Sequence, residues 1–178
     1  MKPSPLVLVL GGARSGKSRY AEALVEKAGR EATYIATAGP PRDEEMEERI
    51  KSHQRRRPAQ WKTVDAPTDL PGAVSQSTGT LLVDCLTLWL TNIMLNEDDI
   101  DAATQRLIEA FGRRTAPIVV VANEVGEGIV PATPLGRRFR DAQGVLNQRV
   151  AATATDVVIL IAGCPLVVKP RQQQEPHL

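Results

Sequence analysis

Residues 11 to 18 read Gly11-Gly12-Ala13-Arg14-Ser15-Gly16-Lys17-Ser18, the pattern G-x-x-x-x-G-K-S, and no other stretch limits the fold of this chain so tightly. Such a loop wraps a phosphate only where a strand delivers the glycines and a helix carries them away. Successive backbone N–H groups and the positive end of the helix dipole must then converge on one anion. Both flanks meet that demand. Leu6-Val7-Leu8-Val9-Leu10 is an apolar run of strand character, and Arg19 to Ala28 sets Ala21, Leu24, Val25 and Ala28 on one helical face. In that setting Lys17 reaches the β- and γ-phosphates and Ser18 ligands Mg²⁺.

At 178 residues the chain can bury a core without staples, and the expected organisation is a single domain over residues 1–169 with a disordered tail over 170–178, rich in glutamine and proline. A formal net charge of +1 argues against a nucleic-acid scaffold held by bulk electrostatics and leaves small molecules as the expected partners. Cys85 and Cys164 each adjoin an apolar run and are expected to be small buried hydrophobes, with neither pairing nor metal spacing. No apolar stretch approaches the roughly 18 to 20 residues of a membrane span, and the apolar segment after Met1-Lys2-Pro3-Ser4-Pro5 is too short for a signal peptide. A cytoplasmic enzyme is the expectation.

Strands and helices alternate along the rest of the chain. Ala32 to Ala38 reads as a second strand, Asp43 to Ser52 as a helix burying Met46 and Ile50, and Trp61 to Asp65 as a short strand. Ala66 to Gly79 promises a weak helix at best. Thr80-Leu81-Leu82-Val83-Asp84 is an apolar strand ending in a carboxylate, the Walker B arrangement, which sets an acid beside the phosphate loop where it can hold Mg²⁺. Cys85 to Leu95 is apolar without clear period, a buried helix or a subunit contact. Asp98 to Arg114 is amphipathic, burying Ile100, Ala103, Leu107, Ile108 and Phe111. Pro117 to Ala122 is a buried strand ending at Asn123 and Glu124, residues 126–134 form an ordered loop, and Leu135 to Thr155 is a helix with Leu135, Phe139, Leu146 and Val150 inward. Val157 to Ala162 is the last strand expected. This alternation specifies an α/β fold, a mostly parallel sheet with helices on both faces, and ligands bind such sheets outside the carboxyl ends of the strands. The residues there are the phosphate loop, Thr37, Asp84, Asn123 and Glu124.

The chain has two histidines, and His177 lies in the tail. His53 stands directly before Gln54-Arg55-Arg56-Arg57-Pro58. An unprotonated imidazole can attack an α-phosphate, splitting a nucleotidyl transfer into two steps. Adjacent arginines disfavour imidazolium and stabilise charge on the phosphate under attack. The competing reading is a structural histidine at a helix C-terminus followed by a solvated charge run. Residue chemistry alone leaves the two in balance.

A wider set of segments resembles one family. They are the phosphate loop, Tyr34 to Ala38, Arg49-Ile50 with His53 and Arg57-Pro58, Trp61 with Thr63, Asp84 to Thr87, and Asn123 to Gly126 with Gly128 to Pro131. Phe139-Arg140-Asp141 with Gly144 and Asn147-Gln148 completes it. Over Leu6 to Lys169 the chain resembles the bifunctional adenosylcobinamide kinases and adenosylcobinamide-phosphate guanylyltransferases of cobalamin biosynthesis. The resemblance implies a RecA-like P-loop NTPase core assembled as a homotrimer. It implies phosphorylation of adenosylcobinamide by ATP or GTP, then attack of His53 on GTP to carry GMP covalently to the corrinoid phosphate. It further implies nucleotide contacts from Gly11 to Ser18, from Ala36, Thr37 and Ala38, from Gln54, Arg55, Arg56 and Arg57, and from Asp65 and Asp84. The family commonly carries glutamate, one methylene longer, where this chain has Asp65.

Two other functions compete. A monofunctional small-molecule kinase would use Gly11 to Ser18 with Asp84 and leave His53 structural. A nucleotide-dependent switch would recognise guanine through N-K-x-D, whereas this chain reads Asn123-Glu124-Val125-Gly126 at the corresponding strand end.

Overall fold

A computed structural model describes residues 4–28, 31–40, 44, 48, 55 and 58–170. Among the described residues seven strands form one sheet: β1 (Leu6–Gly11), β2 (Ala32–Ala36), β3 (Lys62–Asp65), β4 (Thr80–Asp84), β5 (Ile118–Asn123), β6 (Asp156–Ile161) and β7 (Cys164–Lys169). Their order is β3-β2-β4-β5-β1-β6-β7, parallel throughout except for β7. The helices among the described residues are α1 (Lys17–Lys27), α2 (Leu70–Gln76), α3 (Leu86–Leu95), α4 (Ile100–Gly112) and α5 (Pro134–Thr153).

Strand periodicity sorts the apolar residues between two cores, because successive side chains leave opposite faces of a pleated strand. Leu8, Ile35, Leu81, Val83, Ile118 and Val120 meet α2, α3, α4 and α5 on one face. Val9, Tyr34, Leu82, Val119, Val121 and Val158 meet α1 on the other through Ala21 and Val25. Strands buried on both faces read as continuous apolar runs, which is how β1, β4 and β5 read.

Residues 66–79, expected to hold little structure, contain α2. Asp69 caps it by accepting from the Gly72 N–H at 3.0 Å, and Leu70 and Val74 are fully buried. The apolar stretch after β4 is the core helix α3, with Leu86, Trp89 and Leu90 fully buried and the Trp89 indole donating to the Thr68 carbonyl at 2.8 Å. It buries itself within the chain. Two inward assignments fail. Leu135 is 55 % exposed, the buried positions of α5 beginning only at Gln143, and Ile108 is half-buried while Ala110 is buried.

β6 is not the last strand. Ala162 and Gly163, with φ of 51° and 81°, make a two-residue turn that returns the chain as β7. Positive φ at both central positions is the turn that matches strand twist. Alanine at the first of them conceals the hairpin signal, and Pro165 marks β7 as an edge strand. Cys164 lies on that edge and is exposed, contrary to expectation, whereas Cys85 is buried. The expected helix over Asp43 to Ser52 and the 170–178 tail fall almost wholly outside the described residues.

Arg114, just past α4, closes α2. Its guanidinium donates to the carbonyls of Val74 (3.0 Å), Ser77 (2.5 Å) and Gly79 (2.6 Å), and burial lowers its pKa. Helix carboxyl ends leave carbonyls without intrahelical partners, so one side chain here satisfies three groups. Arg114→Met is expected to lower unfolding free energy by about 2–3 kcal/mol, read by urea denaturation. Arg113→Met, which removes only an exposed pair with Glu109 on the same helix, should change it by less than about 0.5 kcal/mol.

Candidate active site at the carboxyl edge of the sheet

Six parallel strands bring their carboxyl ends to the edge where the glycine loop sits. Gly11 ends β1 between Asn123 of β5 and Leu160 of β6. A Cβ on Gly11 would lie 2.4 Å from the Ser15 hydroxyl and 2.9 Å from the Leu160 carbonyl, so only glycine lets the loop fold back over the strand. Three backbone bonds then hold the loop. The Ser15 N–H donates to the Gly12 carbonyl (3.3 Å), the Glu124 N–H to the Gly11 carbonyl (3.1 Å) and the Gly163 N–H to the Ser15 carbonyl (3.0 Å).

Helix α1 begins on Gly16, at φ 93°, with no side chain capping its first turn. Its leading N–H groups and dipole are therefore presented to the loop, the arrangement that receives a phosphate. Lys17 is half-buried, and its ammonium donates to the Gly12 carbonyl at 3.0 Å. Ala13 and Arg14 are exposed at the loop crest, and Ser18 is half-buried in the first turn of α1.

Asp84 ends β4 and is half-buried, where its Oδ2 accepts the Tyr34 hydroxyl at 3.0 Å. Cys85 follows. Burial first, and the Asp84 charge second, push its thiol up to about 11, while the Lys17 cation acts the other way. Thr37 is fully buried and wholly engaged. Its hydroxyl donates to the Cys85 carbonyl (2.7 Å) and accepts from the Cys85 N–H (2.8 Å), while its own N–H donates to the Asp84 carbonyl (3.4 Å) and its carbonyl accepts from Asn92 (2.9 Å). Ala36 pairs with both Asp65 and Asp84, which puts those carboxylates on the two strands flanking β2. Ala38 is half-buried just beyond, and Asp65 is exposed.

Asn123 is clamped from two helices. Its N–H donates to Thr87 Oγ1 at 2.8 Å, and its carbonyl accepts from Asn147 Nδ2 at 3.1 Å, with Gln143 Nε2 donating to Asn147 Oδ1 at 2.8 Å. Beyond it the loop to α5 carries Ile129 at 98 % and Val130 at 59 % exposure.

The structure thus gathers Gly11 to Ser18, Ala36 to Ala38, Asp65 and Asp84 along one edge. His53, Gln54, Arg56 and Arg57 lie outside the described residues, and Arg55 is exposed, 3.8 Å from Glu48. Sequence reasoning missed Tyr34 as the partner of Asp84 and Gly163 as a support of the loop. No spacing rule joins positions 50 or 148 residues apart.

The residues fit a nucleoside triphosphate with Mg²⁺. Uncapped N–H groups and Lys17 suit phosphates, while the Ser18 hydroxyl and the Asp84 carboxylate are the hard oxygens that Mg²⁺ prefers. No cluster of three or more His, Cys, Asp or Glu able to hold a metal occurs among the described residues.

Gly11→Ala is expected to cost about 1–3 kcal/mol of stability in nucleotide-free thermal unfolding. Gly12→Ala, where a Cβ meets nothing within 4 Å, should stay within about 0.5 kcal/mol of wild type. A maleimide at pH 8 should label Cys164 in the native protein and spare Cys85, whose raised pKa and burial leave it protonated and covered. Mass spectrometry of the peptides reads the difference, and denaturant should expose both.

The sequence pattern of the family described as "Cobinamide kinase / cobinamide phosphate guanyltransferase" matches residues 7–168. The chain is 44 % identical over 167 residues to the bifunctional adenosylcobalamin biosynthesis protein CobP of Pseudomonas aeruginosa, covering 91 % of this chain and 96 % of that protein. It is 40 % identical over 182 residues to the bifunctional adenosylcobalamin biosynthesis protein CobU of Salmonella typhimurium, covering 92 % and 99 %. Among solved structures it resembles the RadB recombinase, with a TM-score of 0.51 at 16 % identity over 88 % of this chain and 74 % of that one. It also resembles an ATPase of a type III secretion system, with a TM-score of 0.55 at 10 % identity over 89 % and 51 %. At such identities the likeness is one of fold, and the fold is that of the RecA-like P-loop NTPases.

Proposed function

The chain belongs to the cobinamide kinase / cobinamide phosphate guanyltransferase family, and from that premise we propose that it carries out both reactions on adenosylcobinamide. In the first, the substrate's hydroxyl oxygen attacks the γ-phosphorus of ATP or GTP and the nucleoside diphosphate leaves. In the second, an imidazole nitrogen of His53 attacks the α-phosphorus of GTP and diphosphate leaves. A phosphate oxygen of the corrinoid phosphate then takes the GMP, giving adenosylcobinamide-GDP and freeing His53. Splitting the transfer in this way exchanges one difficult displacement for two easier ones.

One observation carries the reading. The family match runs unbroken across a chain whose glycine loop, Lys17 and Asp84 converge on one edge of the sheet. Gly11 to Ser18 hold the phosphates through backbone N–H groups, Lys17 offsets charge on the β- and γ-phosphates, and Ser18 and Asp84 hold Mg²⁺, which neutralises phosphate charge when bound. Tyr34 orients the Asp84 carboxylate. Gln54, Arg55, Arg56 and Arg57 receive the phosphates beside His53, where guanidinium forks suit phosphate oxygens. With neighbouring strands about 4.8 Å apart, Asp65 on the far strand β3 lies roughly 19 Å from β1, which favours the nucleoside end of GTP for it. Ala36 and Ala38 line the wall between, and buried Thr37 braces that wall. The apolar, exposed Ile129 and Val130 suit the apolar face of a corrinoid ring. Residues 1–169 act as one catalytic domain, assembled as a cytoplasmic homotrimer, with the remaining residues a tail.

Incubation with GTP labelled at the α-phosphate tests the central step. Wild-type protein should acquire label that survives alkali and is lost in acid, as a phosphoramidate does, and His53→Ala should acquire none. Corrinoid phosphorylation should persist in that variant. Equal labelling of both proteins would remove His53 as the nucleophile. Phosphorylation without any labelling, even with the corrinoid phosphate supplied, would leave a kinase alone.

A further inference from the structure

The carboxylates at the carboxyl edge sit on strands at graded distances from β1, which carries the phosphate loop. In the order β3-β2-β4-β5-β1, at about 4.8 Å per strand, Asp65 stands roughly 19 Å from β1, Asp84 roughly 10 Å and the end of β5 roughly 5 Å. Glu124 follows that end directly. Its N–H donates to the carbonyl of Gly11, the first residue of the phosphate loop, at 3.1 Å. Its Oε1 accepts the Gly126 N–H at 2.7 Å, which fixes the carboxylate on its own loop. The residue before it is held from both sides by Thr87 and Asn147. Asp84, the next carboxylate outward, is bonded to the Tyr34 hydroxyl.

We propose that Glu124 is the general base of the phosphorylation step, receiving the proton of the acceptor hydroxyl as its oxygen attacks the γ-phosphorus. The bond from the γ-phosphorus to the β–γ bridging oxygen breaks, the nucleoside diphosphate leaves with that electron pair, and the proton resides on the Glu124 carboxylate until water removes it. Thr87 and Asn147 are positioning residues that act through the Asn123 backbone. This assignment rests on the kinase reading above and separates the two reactions, because attack of an unprotonated imidazole on GTP requires no carboxylate base.

Glu124→Gln keeps an oxygen that can accept from the Gly126 N–H and removes the basicity. Its kinase kcat on adenosylcobinamide should fall roughly 100- to 10,000-fold, the usual range for a lost general base. KM for nucleotide and corrinoid should stay within about twofold, since ground-state binding is untouched. Guanylylation of the protein by labelled GTP, and GMP transfer to pre-phosphorylated corrinoid, should proceed at the wild-type rate. Glu124→Asp retains the charge one methylene back and should fall between. Should the glutamine variant be unstable, the aspartate variant carries the test through the same split between half-reactions. Kinase turnover in both variants close to wild type would overturn the assignment. So would equal loss of both half-reactions with a lowered melting temperature, which marks a structural role. A wild-type protein that never phosphorylates adenosylcobinamide would sink the kinase reading itself and this inference with it.

Discussion

The close approach at Gly11 is the contact on which the rest of the site depends. The loop must turn back over the end of β1 so tightly that its Ser15 hydroxyl occupies the space a Cβ would need. That turn brings the loop carbonyls within reach of N–H groups from two other strand ends. Glu124 after β5 and Gly163 after β6 each donate one bond, so the neighbours of β1 on both sides hold the loop. A loop held at both shoulders keeps its N–H groups aimed without reorganisation when an anion arrives, and that preorganisation is what makes backbone donors effective.

The same economy recurs one strand over. Thr37 has no hydrogen-bond donor left for a ligand, because its hydroxyl closes a reciprocal pair with the Cys85 backbone and its N–H goes to the Asp84 carbonyl. These bonds lock the end of β2 to the end of β4, so that Ala36 lies between two carboxylate-bearing strands. Cys85 is buried at that joint. Its thiol stays protonated because a thiolate there would be both desolvated and beside Asp84.

The two faces of the sheet differ in what covers them. Among the described residues α1 packs on one face and α2 to α5 on the other, so most of the core lies on the side away from α1. The edges differ as well. β7 closes one end as an antiparallel return whose Leu166, Val167 and Val168 remain half-exposed, and β3 closes the other as a short, largely exposed strand. The carboxyl ends of the central strands are thus the place where polar groups from several elements meet.

Much of this was legible in the chain itself. The glycine pattern, its flanking strand and helix, and the apolar strand ending in Asp84 are local signals, and each specifies its own conformation through covalent geometry and side-chain period. Together they dictated a parallel α/β sheet with a phosphate loop at its edge. Local signals carry no information about partners 50 or 148 residues distant. Only the tertiary structure joined Tyr34 to Asp84, Gly163 to Ser15 and Asn147 to Asn123, and only strand order ranked the carboxylate-bearing strands by their separation from β1. The β6–β7 hairpin escaped for a related reason. Alanine with positive φ is disfavoured on its own, and it is held there by the pairing of the two strands it joins. Chain chemistry determined which elements form, whereas long-range hydrogen bonding and packing decided which side chains stand together at their ends.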